Sequence, residues 1–175
     1  RLVGSEMCIR DSSGSVSYTW LDDTGTPCSP ELASCQWLRL ENGIIRVEVR
    51  RTSFAGVERA WFDANGDGLF NTDELTVNGP GGPYFTDELG VLRASRFDTE
   101  PEFQIEDAGP NSVTIKAEGW YRAEDPAQAP LHRYISRITL KDGDTQVRVS
   151  HRTGFTETDT DATPQVDDMG WSTML

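Results

Sequence analysis

Short runs in which apolar and polar residues alternate dominate the chain from residue 37 onward. In residues 44–51, the apolar Ile45, Val47 and Val49 alternate with charged residues, which predicts a strand with one buried face. Strands are predicted over residues 37–41, 44–51, 57–62, 75–78, 84–86, 103–106, 113–121, 134–140 and 146–152. No segment keeps a 3.6-residue apolar period over helical length, so the predicted fold is all-β, a small antiparallel barrel or a sandwich.

Turn sequences between these runs predict three hairpins. Asn42 and Gly43 join the first two strands and suit a type I′ turn, because both residues accept positive φ angles. Ala108–Asn111 joins the strand at 103–106 to the next one, and Lys141–Asp144 joins the last two strands.

The N-terminal part has a different texture. Residues 1–12 resemble one translated reading frame of a transposase adapter used to prepare sequencing libraries, and a genuine N-terminal tail is the alternative. Residues 13–35 are rich in Ser, Thr, Gly, Pro and Asp and are predicted to form an irregular linker or arm. The β-barrel domain is predicted over residues 36–175 and is expected to be truncated at its C-terminal end.

The chain is acidic, with 16 Lys and Arg against 29 Asp and Glu and a net charge of −13. Leaving out residues 1–12 does not change this charge, because they hold two basic and two acidic residues. An acidic surface repels phosphate backbones and anionic lipids, so neither nucleic acid nor a membrane is expected as a partner.

Three cysteines are present, and Cys8 lies in the adapter-like segment. The remaining pair, Cys28 and Cys35, is predicted to form a short disulfide in an oxidising compartment, which favours an extracellular or periplasmic location. Two free thiols in a cytosolic chain are the alternative. A zinc site is not predicted, because the second ligand pair is missing.

The acidic stretch Asp63–Glu74 matches the calcium-loop pattern D-x-[DN]-x-[DN]-G-x5-E at every position. The predicted Ca²⁺ ligands are the side chains of Asp63, Asn65, Asp67 and Glu74, the backbone carbonyl of Leu69, and Asn71 directly or through water. Gly68 would permit the sharp turn. Because both flanks are strand-like, we predict a calcium loop between strands rather than a helical EF-hand pair. A polar turn that binds no ion is the alternative.

The remaining polar candidates carry weaker signals. Glu157–Asp161 is acidic but lacks a turn glycine, so a solvated loop is predicted. His132 and His151 have no acid or nucleophile nearby in the sequence, so no catalytic role is predicted for them. Trp120 and Tyr121 point to opposite faces of a strand, and the exposed one could stack on a sugar ring, with ordinary packing as the alternative.

Eight short patterns together carry a family resemblance. They are Leu40–Val49, Ala60–Gly68, Gly82–Tyr84, Ile105–Pro110, Lys116–Gly119, Tyr134–Thr139, Val147–His151 and Asp168–Trp171. In these patterns the chain resembles the N-terminal RIFT-barrel domain of the exo-acting rhamnogalacturonan lyase-like family. The resemblance implies a RIFT-type barrel followed in the full-length protein by a helical catalytic domain.

The same resemblance implies a function for the parent protein. It implies a secreted or periplasmic enzyme that degrades uronic acid glycans by β-elimination, in which a base removes the proton next to the carboxylate. No catalytic residue carries over to this chain, because the family's catalytic residues lie in later parts, so the chain alone is expected to be inactive and to meet polysaccharide only through its parent. The alternative is a calcium-stabilised structural or adhesion module of a large extracellular protein.

Overall fold

The computed structural model describes residues 15–154 and, for the backbone only, residues 166–172. The strands in these ranges are β1 (Ser17–Asp22), β2 (Cys35–Glu41), β3 (Ile45–Arg50), β4 (Arg59–Phe62), β5 (Leu75–Asn78), β6 (Gly82–Asp87), β7 (Leu92–Ala94), β8 (Glu102–Gly109), β9 (Ser112–Ala123), β10 (Leu131–Lys141), β11 (Arg148–Gly154) and β12 (Val166–Ser172). Two short 3₁₀ turns cover Thr72–Glu74 and Ser95–Phe97. The adapter-like residues 1–12 and the acidic stretch Glu157–Asp161 lie outside the described residues.

Two antiparallel sheets make up the fold, which confirms the all-β prediction. The first sheet has the order β1-β2-β3-β4-β5. The second has the order β11-β10-β9-β7-β6-β12, and β8 also pairs with β9. One of the sheets curls into a half-barrel. Among the described helices, none has the length and apolar character needed to cross a membrane.

Apolar side chains from both sheets meet in one core. The buried members include Leu38, Leu40, Val47 and Val49 from the first sheet, Val113, Ile115, Ile138 and Leu140 from the second, and the aromatic Phe54, Phe85, Tyr121 and Tyr134. Burial alternates along nearly all of β9 and β10, as expected for strands with one face in the core. Burial of each large apolar side chain contributes about 1.5–3 kcal/mol, so this shared core holds the two sheets together.

The first hairpin is confirmed, but its turn differs from the predicted type. The backbone N of Asn42 donates to Ile45 O at 3.1 Å, which places Gly43 and Ile44 at the centre of the turn. Of these two residues only Gly43 has a positive φ, at 84°, as in a type II′ turn. The Asn42 side chain bonds within this turn and beyond it: its Oδ1 accepts from the backbone N of Ile44 at 3.0 Å and of Ile45 at 2.8 Å, and its Nδ2 donates to Lys141 O and Asp144 O, each at 2.8 Å, where β10 turns into β11.

The predicted irregular arm at residues 13–35 contains β1, so that prediction is wrong for Ser17–Asp22. β1 pairs with β2 along its whole length, and Trp20 packs against the core, where its ring centroid lies 5.8 Å from that of Phe103. Pairing with β2 gives β1 a stability that its own short sequence does not reveal. The predicted disulfide between Cys28 and Cys35 is present and closes the loop that leads into β2.

Candidate calcium loop

The acidic stretch that is predicted to bind calcium connects two neighbouring strands of the five-stranded sheet. β4 ends at Phe62, immediately before Asp63, and β5 begins at Leu75, immediately after Glu74. The backbone N of Asp63 donates to Ile44 O at 2.9 Å, which holds the start of the loop against the β2–β3 turn. Both flanks are therefore strands, as predicted.

Side-chain oxygens organise the first half of the loop. Asp63 accepts hydrogen bonds from the backbone N of Gly66 at 2.7 Å and of Gly68 at 2.8 Å, one on each carboxylate oxygen. Both glycines have a φ of +73°, in the left-handed region that glycine enters without steric cost. The side chains of Asn65 and Asp67 each accept from the backbone N two residues further on, at 2.8 Å. The regular spacing of polar residues therefore gives the loop its winding.

The closing residue of the loop, Glu74, is buried, with 7% of its surface exposed. Its Oε2 accepts a hydrogen bond from the backbone N of Asn71 at 3.0 Å. Its Oε1 is also buried and has no hydrogen-bond partner in the described part of the chain. A buried carboxylate oxygen without a partner is destabilising, because desolvation of its charge is not compensated. A cation bound to Glu74 would remove that penalty.

Asp63 is also buried, with 9% of its surface exposed, whereas the remaining predicted ligands lie closer to solvent. Asn65, Asp67 and Asn71 are exposed, and Leu69 is 60% exposed. The Leu69 side chain is apolar, so only the backbone carbonyl of this residue could act as a ligand. Residues 63–74 contain four carboxylates and no Lys or Arg. A carboxylate oxygen can accept an amide hydrogen bond and keep a lone pair for a cation. The donor set therefore has the chemistry that Ca²⁺ prefers.

Among the described residues, no three His, Cys, Asp or Glu side chains converge closely enough to hold a metal ion. The predicted ligand set also relies on two asparagines and a backbone carbonyl, which are outside that group of side chains. Calcium binding by the loop stays a prediction.

Aromatic contacts connect the middle of the loop to the outer face of the sheet. The guanidinium of Arg46, on β3, lies 4.3 Å from the ring centroid of Phe70 and 6.0 Å from that of Trp61 on β4. Arg46 also pairs with Glu41 at 2.7 Å. The cation–π contact with Phe70 therefore holds the loop beside β3 and β4.

In the structure His151 has hydrogen-bond partners that lie far from it in the sequence. His151 lies on β11, with its Nδ1 2.6 Å from Ser136 Oγ and its Nε2 2.7 Å from Tyr121 Oη. Burial lowers the pKa of His151 to about 4, so the ring is neutral near pH 7. These partners are 15 and 30 residues away in the chain, and only the pairing of β9, β10 and β11 brings them together.

This hydrogen-bonded cluster is not open to a substrate. Ser136 and Tyr121 are 1% and 0% exposed, so a glycan cannot reach their hydroxyls. The second histidine, His132, is also buried, in a bulge of β10 where its φ is 45°. Burial and, to a smaller extent, the charge of Arg93 lower its pKa. Tyr121, Ser136 and His151 therefore form a hydrogen-bonded cluster whose two hydroxyl-bearing residues are buried.

Trp120 and Tyr121 take opposite faces of β9, as predicted. Tyr121 lies in the core, and its ring makes an edge contact with Phe85 at 5.0 Å between centroids. Trp120 is half-buried, with the guanidinium of Arg133 5.5 Å from its ring centroid. One face of the Trp120 ring is therefore covered by an arginine.

No protein-family model matches the chain, and no curated protein matches it in sequence. The resemblance to the RIFT-barrel domain, and the function it implies, therefore stay predictions. The all-β architecture is compatible with a barrel and with a sandwich.

Proposed function

We propose that this chain is a non-catalytic β-domain that binds one Ca²⁺ in the loop at residues 63–74. We propose further that it is the N-terminal domain of a polysaccharide lyase-like protein that acts on uronic acid glycans. Its role in that protein is to provide a calcium-stabilised scaffold next to a helical catalytic domain.

The observation that supports calcium binding best is the unpaired Oε1 of Glu74. It belongs to the closing residue of the motif, it is buried, and its carboxylate is tied to the loop through the backbone N of Asn71. In a calcium loop of this pattern the closing Glu uses both carboxylate oxygens as ligands. The oxygen without a hydrogen-bond partner therefore belongs to the residue that the motif assigns as the closing calcium ligand.

A bound ion would bridge the negatively charged side chains at the two ends of the loop. Asp63 and Glu74 sit at opposite ends of the loop, and Asp67 adds a third negative charge among the predicted ligands. Like charges brought together in a partly buried site are destabilising unless a cation neutralises them. Binding to the folded state alone would then stabilise the domain by mass action.

The non-catalytic role is supported by the burial of the Tyr121–Ser136–His151 cluster, which has the groups of an acid–base site but no access to substrate. The exported location is supported by the Cys28–Cys35 disulfide, since such bonds persist mainly in oxidising compartments. The glycan substrate is proposed from the family resemblance alone.

Titration calorimetry with Ca²⁺ tests the binding proposal on the full chain after removal of bound ions with a chelator. We expect about one ion per chain and a loss of affinity of at least about tenfold in Glu74→Gln, which keeps the side-chain size but removes the charge. Asp73→Asn is the matched control, because Asp73 is exposed, lies in the same loop and is not a predicted ligand. Absence of binding, or equal affinity in all three proteins, would contradict the proposal.

The lyase context has a separate test. The gene that encodes this domain should continue into a long helical region whose product cleaves a uronic acid glycan and releases an unsaturated product. Repeated β-modules or a cell-wall anchor in place of that region would instead favour a structural or adhesion module.

A further inference from the structure

An apolar groove of about 330 Å³ lies beside the candidate calcium loop. Trp61 of β4 and Val77 of β5 line one part of it, and Val149 of β11 lines another. The core residues Ile45 and Val47 line it as well. The groove therefore reaches the hydrophobic core at the place where the outermost strands of the two sheets approach each other.

Of the strands in the groove wall, β5 has the least extensive strand pairing. It is four residues long, ends the five-stranded sheet, and pairs only with β4 among the described strands. The pairing also shifts register between Ala60 and Trp61, which interrupts the regular ladder. Short edge strands with few partners open more readily than central strands.

Each strand of this wall has a predicted calcium ligand at the end that faces the loop. Asp63 follows β4 directly and Glu74 precedes β5 directly, so an ion bound by both residues would join the two strand ends. The second indication of a cation is the buried Oε1 of Glu74, which has no partner in the described chain. Residues 63–74 hold four carboxylates and no Lys or Arg, so no basic residue of the loop offsets their charge.

We infer that the calcium loop regulates this groove through β5. With Ca²⁺ bound, β5 stays paired with β4 and the core residues Ile45 and Val47 stay covered. Without Ca²⁺, β5 separates from β4 and the groove opens onto the core. The inference rests on the calcium binding proposed above. Its added consequence is that β5 pairs with β4, and so completes the five-stranded sheet, only where calcium is abundant.

Hydrogen–deuterium exchange of the full chain, in Ca²⁺ and in chelator, tests this inference. We expect the amides of residues 75–78 to exchange at least about tenfold more slowly with Ca²⁺, while β9 and β10 exchange at unchanged rates. A dye that fluoresces on exposed apolar surface should bind more strongly in chelator than in Ca²⁺.

Two variants make the test specific. In Glu74→Gln the amides of residues 75–78 should exchange fast with or without Ca²⁺, whereas Asp73→Asn should respond as the unmodified chain does. If calorimetry shows calcium binding but the exchange of residues 75–78 does not change, or changes equally in β9 and β10, the regulation of the groove is overturned and calcium binding stands. If no calcium binds, both proposals are overturned.

Discussion

The candidate calcium loop and the Tyr121–Ser136–His151 cluster are two polar sites in the described part of this domain, and they are built in opposite ways. Every predicted ligand of the loop lies within residues 63–74, a segment with four carboxylates and no basic residue, in which Asp63 and Glu74 are buried and the other predicted ligands are exposed. The cluster takes one neutral side chain from each of three strands, β9, β10 and β11, and two of its three residues are fully buried.

This difference teaches how each site gains its stability. The side chains of the loop bond to backbone amides only two to five residues away, so its shape is local, and the proposed cation would balance its charge. The cluster satisfies its own polar atoms, because each ring nitrogen of His151 faces a hydroxyl. We therefore expect the loop to respond to ions and the cluster to respond to packing and to acid.

The largest effect is expected from removal of the Tyr121 side chain. Tyr121→Ala leaves a cavity in the core and unpairs His151, and should lower the free energy of unfolding by about 3–5 kcal/mol. Urea unfolding measures this change. Trp120→Ala, at the preceding position of the same strand and on its half-buried face, should lower the free energy of unfolding clearly less. Equal losses would show that the cluster is no more important than the surface of β9.

The second largest effect on stability is expected from removal of calcium. At a free Ca²⁺ concentration of 100 times Kd, binding stabilises the folded state by about 2.7 kcal/mol, which for a domain of this size raises Tm by about 5–10 °C. Differential scanning calorimetry in Ca²⁺ and in chelator measures the shift. Glu74→Ala should abolish it, and Asp73→Asn should keep it. Identical melting curves in Ca²⁺ and chelator would show that the loop is an ordinary turn.

Acid should distinguish the two sites further. Burial lowers the pKa of His151 from 6.5 to about 4, so between these pH values the unfolded chain binds a proton that the folded chain does not. The stability from neutral His151 is therefore complete above pH 6.5 and is lost as the pH falls toward 4. Urea unfolding at a series of pH values measures the free energy of unfolding of the original chain and of His151→Gln, and the difference between the two should shrink as the pH falls. Parallel pH profiles for the two proteins would contradict the assignment.

The smallest effect is expected at Leu69, a predicted ligand that uses only its backbone. Its side chain is 60% exposed, so Leu69→Ala should change the free energy of unfolding by less than about 0.5 kcal/mol. Calcium affinity, measured by calorimetry, should stay within about threefold of the original value, because the backbone carbonyl is kept. A large loss of affinity would show that the side chain, rather than the carbonyl, shapes the loop.

Local sequence patterns predicted most strands because alternation and turn residues are properties of neighbouring positions. The bounds of β5, Leu75–Asn78, agree with the prediction, since the loop ends at Glu74 and a β-branched pattern follows. β1, the three-residue β7 and β12 were not predicted as strands. Each is held by pairing with another strand: β1 pairs with β2, β7 joins β6 to β9, and β12 pairs with β6.

The features of the candidate sites also separate into those that local sequence predicts and those that depend on the fold. The ligand set from Asp63 to Glu74 could be read from spacing alone, because twelve consecutive residues carry it. The burial of Glu74 Oε1 could not, since it depends on how the loop returns to the sheet. The Asn42 contacts to the β10–β11 turn were equally hidden, because their partners lie 99 and 102 residues further along the chain.

The sequence by itself determined the all-β class, the position of the acidic loop between two strands, and the pair of cysteines available for a disulfide. Each of these follows from residue type and short-range spacing, which act before the chain folds. Only the tertiary structure decided the strand order, the type of the first turn, the partners of His151 and the closeness of the groove to the loop. Those features depend on which distant strands pair, and that choice is made by burial of the shared core.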